Sequence, residues 1–269
     1  MPQKLVKCLL ILLGAAFIIV MLVLPLTTVL VYAMRQGLNT FVNAITNTYA
    51  IKALKLSLVV TVIAVLVNTT FGLFAAWAIS KYRFRGKQTL TTLIDIPFSI
   101  SPVIAGLVFI LVFGRIGWAY PLLEAWNIKI VFAVPGIVLA TIFVTFPFVS
   151  RELIPLMQAG GSDEEEAAAL MGSKGLRIFC KVTLPHIKWS LLYGVILCTA
   201  RALGEFGAVS VVSGHLRGKT NTLPLHVEIL FNEFNLTAAF AVSSILVLIA
   251  VVILILRNIV EYRAKREEM

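Results

Sequence analysis

Apolar residues run along this chain in blocks too long for a strand or an ordinary core helix. Charge-free stretches cover residues 8–34, 56–80, 130–150 and 234–256, and a fifth, 88–114, is interrupted only by Asp95. A sixth, from Ile187 to Val212, has Lys188 at its edge and Arg201 and Glu205 inside. A helix needs about 20 apolar residues to cross the hydrocarbon of a bilayer. The pattern therefore predicts six transmembrane helices at about 9–34, 56–80, 90–113, 130–150, 187–212 and 236–257. Such runs far exceed the roughly 10-residue alternating strands of an outer-membrane barrel. In lipid, only helices and closed barrels satisfy every backbone donor and acceptor. The expected class is an all-α integral membrane protein, with residues 1–269 forming a single transmembrane domain.

Composition agrees with this reading. Of 269 residues, 59% are hydrophobic and 13% charged, with a mean hydropathy of +0.97; a soluble domain carries roughly 25% charged residues. The net charge of +10 suggests nucleic acid at first sight, but the positions of the cations give another cause. The N-terminus, the 81–90 turn, the 151–188 loop and the C-terminus from Arg257 hold 15 of the 23 Lys and Arg, the alternate loops hold seven, and Arg201 lies within a span. That asymmetry places both termini in the cytoplasm by the positive-inside rule. The expected surroundings are lipid, with no nucleic-acid partner. Cys8, Cys180 and Cys198 show no CxxC spacing and imply neither a disulfide framework nor a metal site. Lys4 and Lys7 before an apolar run resemble a signal peptide, but the run far exceeds a roughly 7–15-residue signal core, so a retained first helix is expected.

The longest expected cytoplasmic loop, 160–186, reads GGSDEEEAAALMGSKGLRIFCKVTLPH. Gly160 and Gly161 break the preceding helix. Ser162 followed by Glu165 has the capping-box spacing, and the acidic run Asp163 to Glu166 suits a helix N-terminus. Gly172 and Gly175 permit a turn, and Pro185 is expected to stop a second helical stretch. The residues alone predict a helix–turn–helix against the membrane face, and read equally as a solvated acidic surface loop.

The segment also resembles the EAA loop of the membrane subunits of ABC importers: EAA, three residues, Gly, nine residues, Ile-x-Leu-Pro. Here Glu166-Ala167-Ala168, Gly172 and Val182-Thr183-Leu184-Pro185 stand at that spacing, with Val182 in place of Ile. The resemblance implies the type I importer (MetI-like) membrane fold. It also implies that Glu166, Ala167, Ala168, Gly172, Leu184 and Pro185 form a coupling helix docked on an ATPase subunit. The stretch GHLRGKT at 214–220 has three residues between its glycines where a P-loop needs four. No cofactor is expected in this chain, and the resemblance places ATP and Mg on a partner ATPase dimer. An enzyme of the membrane is disfavoured by the lack of an HExxH or a carboxylate cluster within a span.

In the fifth predicted span, Arg201 and Glu205 stand four residues apart and share a helix face. Each intramembrane charge costs at least roughly 2.5–3.5 kcal/mol, so they should pair or face a wet cavity. Gly204 and Gly207 beside them permit close packing or a bend. The stretch from Ala200 to Asn235, with Gly204-Glu205-Phe206-Gly207 at its head, is similar to the W-type subunits of bacterial sulfate/thiosulfate importers. The similarity extends to IPFSISPVIAGLVF at 96–109. It implies a heterodimer with a T-type sister permease, a periplasmic sulfate- or thiosulfate-binding protein, and residence in the bacterial cytoplasmic (inner) membrane. Arg201, Gly204, Glu205, Phe206, Gly207, Pro97 and Pro102 are the candidates for a pathway or gate, and the prolines serve equally as packing kinks. His186, His215 and His226 lack metal-ligand spacing. Molybdate or tungstate as cargo, and an ATP-independent channel or secondary transporter, are the alternatives.

Overall fold

The computed structural model describes residues 3–267; the first two and last two residues of the 1–269 domain lie outside the described residues. Among the described residues every regular element is helical. α1 runs Gln3–Ile18, passes through a π turn at Ile19–Val23 and continues as Leu24–Met34. Then come α2 (Leu38–Ile45), α3 (Thr48–Lys81), α4 (Lys87–Ser99), α5 (Pro102–Phe113) and α6 (Tyr120–Ala125). α7 spans Val134–Ala159, α8 Asp163–Leu170 and α9 Gly175–Leu203. α10 (Gly207–Val212), α11 (Leu223–Asn232) and α12 (Leu236–Glu267) complete the chain. α1, α3, α7, α9 and α12 are each long and apolar enough to cross a membrane, and α4 with α5 raises the number to six if that bent pair is one span.

Two expected spans are each divided between two separate helices. The third, 90–113, bends by 108° between α4 and α5. Pro102 lacks a backbone N–H and disfavours helical geometry in the residue before it. Ile100 and Ser101 accordingly adopt ψ of 134° and 132°. The fifth, 187–212, breaks after Leu203 and restarts at Gly207. Its start also differs from the expectation, because Pro185 does not stop the helix: α9 runs through it from Gly175. A proline clashes with the carbonyl four residues back. Here Phe179–Thr183 opens into a π turn in which the Leu184 N–H bonds to the Phe179 carbonyl, and the wider turn takes up the clash. The same device precedes Pro25, where the Leu24 N–H bonds to the Ile19 carbonyl.

α3 is the centre of the bundle. Its buried residues include Ala50, Ala53, Ser57, Ala64, Asn68, Gly72 and Ala76, a face of small side chains at helical spacing. Small residues let helix backbones approach where lipid supplies no hydrophobic drive. Ala76 packs with Val149, Leu153, Met157, Ile187 and Cys198 from α7 and α9. Towards its other end Ala50 and Ala53 pack with Leu223 and Val242. By contrast, no residue of the most apolar window of α1 is buried; only its later part meets the bundle, with Tyr32 against Phe240 (5.4 Å between rings).

α7 is itself broken at Phe146, ahead of Pro147. The Phe146 N–H turns back to the Phe143 carbonyl (3.4 Å), which leaves the Ile142 carbonyl without its helical donor. Asn68, fully buried on α3, supplies one: its Nδ2 donates to the Ile142 carbonyl (3.2 Å) and to Thr145 Oγ1 (2.7 Å). Nothing in the hydropathy pattern singles out this residue. Asn68→Leu should lower the thermal midpoint of the detergent-solubilised protein by the equivalent of about 1 kcal/mol. Thr70→Val, on the exposed face of the same helix, should leave it unchanged.

Candidate functional site

The 160–186 loop folds as a short helix, a tight turn and the start of α9. All four acidic residues Asp163, Glu164, Glu165 and Glu166 lie in the first turn of α8, where the helix dipole favours them. The expected capping box does not form. Ser162 makes no side-chain cap; its hydroxyl donates to Glu166 Oε1 (2.5 Å). Glu165 turns to Lys81 at the end of α3 (3.1 Å) and accepts from the Thr183 hydroxyl (2.6 Å). A part-buried ammonium is a stronger partner for a carboxylate than an exposed backbone amide.

α8 ends in a turn that only glycine adopts without strain. Gly172 has φ +80° with open space around the Cβ position, so the backbone rather than packing demands glycine. Its N–H bonds to the Ala169 carbonyl (2.9 Å) and the Ser173 N–H to that of Ala168 (3.1 Å), closing the helix end. Ala168 is buried beneath, and Leu184 packs against the α3–α7–α9 core, while Glu166, Ala167, Gly172 and Pro185 are exposed. Around the turn Leu170, Met171 and Leu176 are 90%, 81% and 81% exposed. The motif spacing does not point to any of the three.

The pathway candidates come together at the two broken spans. Glu205 is buried (1% exposed side chain) and its Oε2 lies 2.5 Å from Arg201 Nη1. Its Oε1 accepts from the Ala208 N–H (2.8 Å), so one carboxylate joins the end of α9 to the start of α10. α10 packs directly on α5. A Cβ on Gly207 would lie 2.9 Å from the Cβ of Pro102, and one on Gly106 would lie 2.7 Å from the Ala208 carbonyl oxygen. Gly204 is different: a Cβ there would meet only the Ala200 carbonyl, at 3.7 Å, so it serves the break rather than close packing. Phe206 is 40% exposed. Pro97 is buried within α4, before the bend.

Other polar contacts carried no sequence signal. Asp95 pairs with Arg151 of α7 (3.5 Å), whose guanidinium lies over Phe98 (4.7 Å). At the other end of α3, Ser57 Oγ accepts from the Leu223 N–H (2.7 Å) and thereby caps α11. His226 of α11 is buried beside Asn221, with Nδ1 and Nδ2 3.5 Å apart. Burial lowers its pKa below the usual histidine range, Arg217 adds to this, and Glu233 opposes it. Among the described residues no three His, Cys, Asp or Glu side chains gather as a metal site.

Residues 68–266 match the family described as binding-protein-dependent transport system inner membrane component. The chain is 47% identical over 258 residues to the sulfate transport system permease protein CysW of Synechocystis sp., covering 96% of this chain and 94% of that protein. It is 50% identical over 246 residues to the protein of the same name from Synechococcus elongatus, covering 91% and 86%. Its fold is similar to a chain of the bacterial alginate ABC transporter solved with an alginate pentasaccharide-bound periplasmic protein. The TM-score is 0.81 at 16% identity, over 97% of this chain and 96% of that one.

The Arg201–Glu205 contact yields a double-mutant test. Arg201→Ala and Glu205→Ala should each lower thermal stability in detergent, the second more, because it also uncaps Ala208. The double variant should lose less than the sum by about 1 kcal/mol or more; additive losses would show that the two side chains are not coupled.

Proposed function

This chain belongs to the family of binding-protein-dependent transport system inner membrane components, and we propose that within it the chain is the permease subunit of an ATP-driven sulfate/thiosulfate importer. Extensive identity to two sulfate transport permeases supports the substrate class. The observation that carries the mechanism is the exposed apolar crest of Leu170, Met171 and Leu176 around the Gly172 turn. Large apolar side chains left in water on a short, fixed helix mark a docking surface. In this reading an ATPase subunit receives the crest, with Glu166, Ala167 and Gly172 at the contact and Ala168, Leu184 and Pro185 holding it in place.

The loop and the basic turn after α3 share one end of the bundle, since Lys81 touches Glu165. The excess of Lys and Arg assigns that end to the cytoplasm. ATP and Mg belong to a pair of ATPase subunits, and this chain holds neither. A T-type sister permease completes the pathway, and a periplasmic binding protein delivers the anion to the opposite end. Transport proceeds by alternating access: ATP binding and hydrolysis displace the coupling loop, and the spans rearrange about their breaks at 99–102, 146 and 204–206. The permease binds its anion weakly, because only a difference in affinity between states moves such an equilibrium. Arg201, already paired with Glu205, acts here as a fastener of the fifth span and not as an open anion site.

Cells lacking this chain should regain energy-dependent uptake of labelled sulfate when it is restored, with thiosulfate competing best. Restored molybdate uptake without sulfate uptake would move the chain to the molybdate branch, and uptake independent of the ATPase would remove it from ATP-driven import. In the same assay Gly172→Val should abolish uptake with membrane insertion intact, since its backbone costs about 1–2 kcal/mol at positive φ. Gly172→Asn, which tolerates that region, should retain most of it.

A further inference from the structure

α8 is continuous in sequence with α7 and α9, so a displacement of the loop reaches those two spans through the chain itself. α3 has no such covalent route. It meets the loop through side chains of its final turns: Lys81 lies 3.1 Å from Glu165 Oε2 and also donates to the Gly161 carbonyl. The other Glu165 oxygen accepts from Thr183 in the π turn of α9 (2.6 Å). The two charged side chains are 14% and 20% exposed, far from an ordinary surface pair. One turn earlier, Trp77 of α3 packs on Phe179 of the same π turn (5.3 Å between rings). Lys81 stands in the last turn of α3 and Glu165 in the first turn of α8. Each charge thus sits at the helix end that favours it.

Holding α3 in the bundle does not need this pair, because its small-residue face is buried from Ala50 to Ala76. α3 also touches the loop at one end, the α7 break in its middle and α11 towards its other end. Its 34 residues span about 50 Å. Along them Asn68 holds the orphan carbonyl at the α7 break, and Ser57 caps α11 beyond the broken fifth span.

We propose that the Lys81–Glu165 ion pair, seated on Thr183, is a mechanical linkage that makes α3 a third driven span. Through it, movement of the coupling loop reaches the α7 break and the 213–235 segment at the far end. The inference rests on the coupling role proposed for the loop. Lys81 and Glu165 are positioning residues: they contact neither nucleotide nor anion, and they act by keeping α3 in step with α8.

The test uses the whole complex, with its ATPase, sister permease and binding protein, reconstituted in liposomes. Sulfate imported per ATP hydrolysed is measured for the wild type, Lys81→Met, Glu165→Gln, the double variant and Lys81→Arg. Hydrolysis stimulated by the binding protein should persist, while sulfate per ATP falls about tenfold in each single variant and no further in the double. Lys81→Arg should keep the wild-type ratio. A purely structural pair would lower the amount of assembled complex without changing this ratio. Should Lys81→Met assemble poorly, Glu165→Gln decides, since it keeps the side-chain shape and the Thr183 bond. An unchanged ratio in the single variants, or losses that multiply in the double, would overturn the linkage. A wild-type complex without ATP-driven sulfate import would overturn the transport reading instead.

Discussion

The hydrocarbon interior offers no water to a stray backbone group, and the irregular features of the spans answer to that constraint. Four of the spans carry a break or a widened turn, and most of these sites have an identifiable remedy. Pro25 and Pro185 are each preceded by a π turn that keeps the helix bonded across the proline. The carbonyl freed at Ile142 receives a hydrogen bond from Asn68. The first turn of α10 is capped by Glu205, whose own charge is balanced by Arg201. Each remedy fastens one helix segment to another, so the sites that permit bending are also the sites that define what bends against what.

The small-residue face of α3 makes these remedies possible. Asn68 reaches the α7 break only because Gly72 and its neighbours bring the two backbones close: a Cβ on Gly72 would meet that of Val149 at 3.1 Å. Likewise Gly207 against Pro102 brings the two broken spans together at their breaks. Packing density at these points is the condition for the polar contacts, and the polar contacts fix which helices share it. A helix at the centre of such an arrangement is packed from Ala50 to Ile79, whereas residues 6–28 of α1 are exposed on every side.

The 160–186 loop shows how a sequence motif becomes a defined surface. Its spacing is dictated by geometry: an acidic first turn, a buried alanine under an exposed one, and a glycine where the chain must take positive φ to reverse. Glu165 stands just before the motif, yet it holds the loop down, because a carboxylate facing both Lys81 and Thr183 gains more than one capping an exposed amide.

The sequence by itself determined the all-helical membrane class, because hydropathy over 20 residues depends on composition and not on neighbours. It also determined the loop and the glycine of its turn, since acidic first turns and positive φ are local demands. Pro102 and Gly204 were legible as sites of bending for the same reason, and so was the Arg201–Glu205 pair, four residues apart on one helix. Asn68 and the Asp95–Arg151 pair were not legible, nor was the Lys81–Glu165 contact. Their partners lie tens of residues away in sequence, and only packing brings them within reach. That Pro185 would sit inside a helix and Pro102 at a 108° bend was likewise decided by tertiary structure. A proline removes the same N–H in both places, and the surrounding helices settle whether the chain widens into a π turn or changes direction.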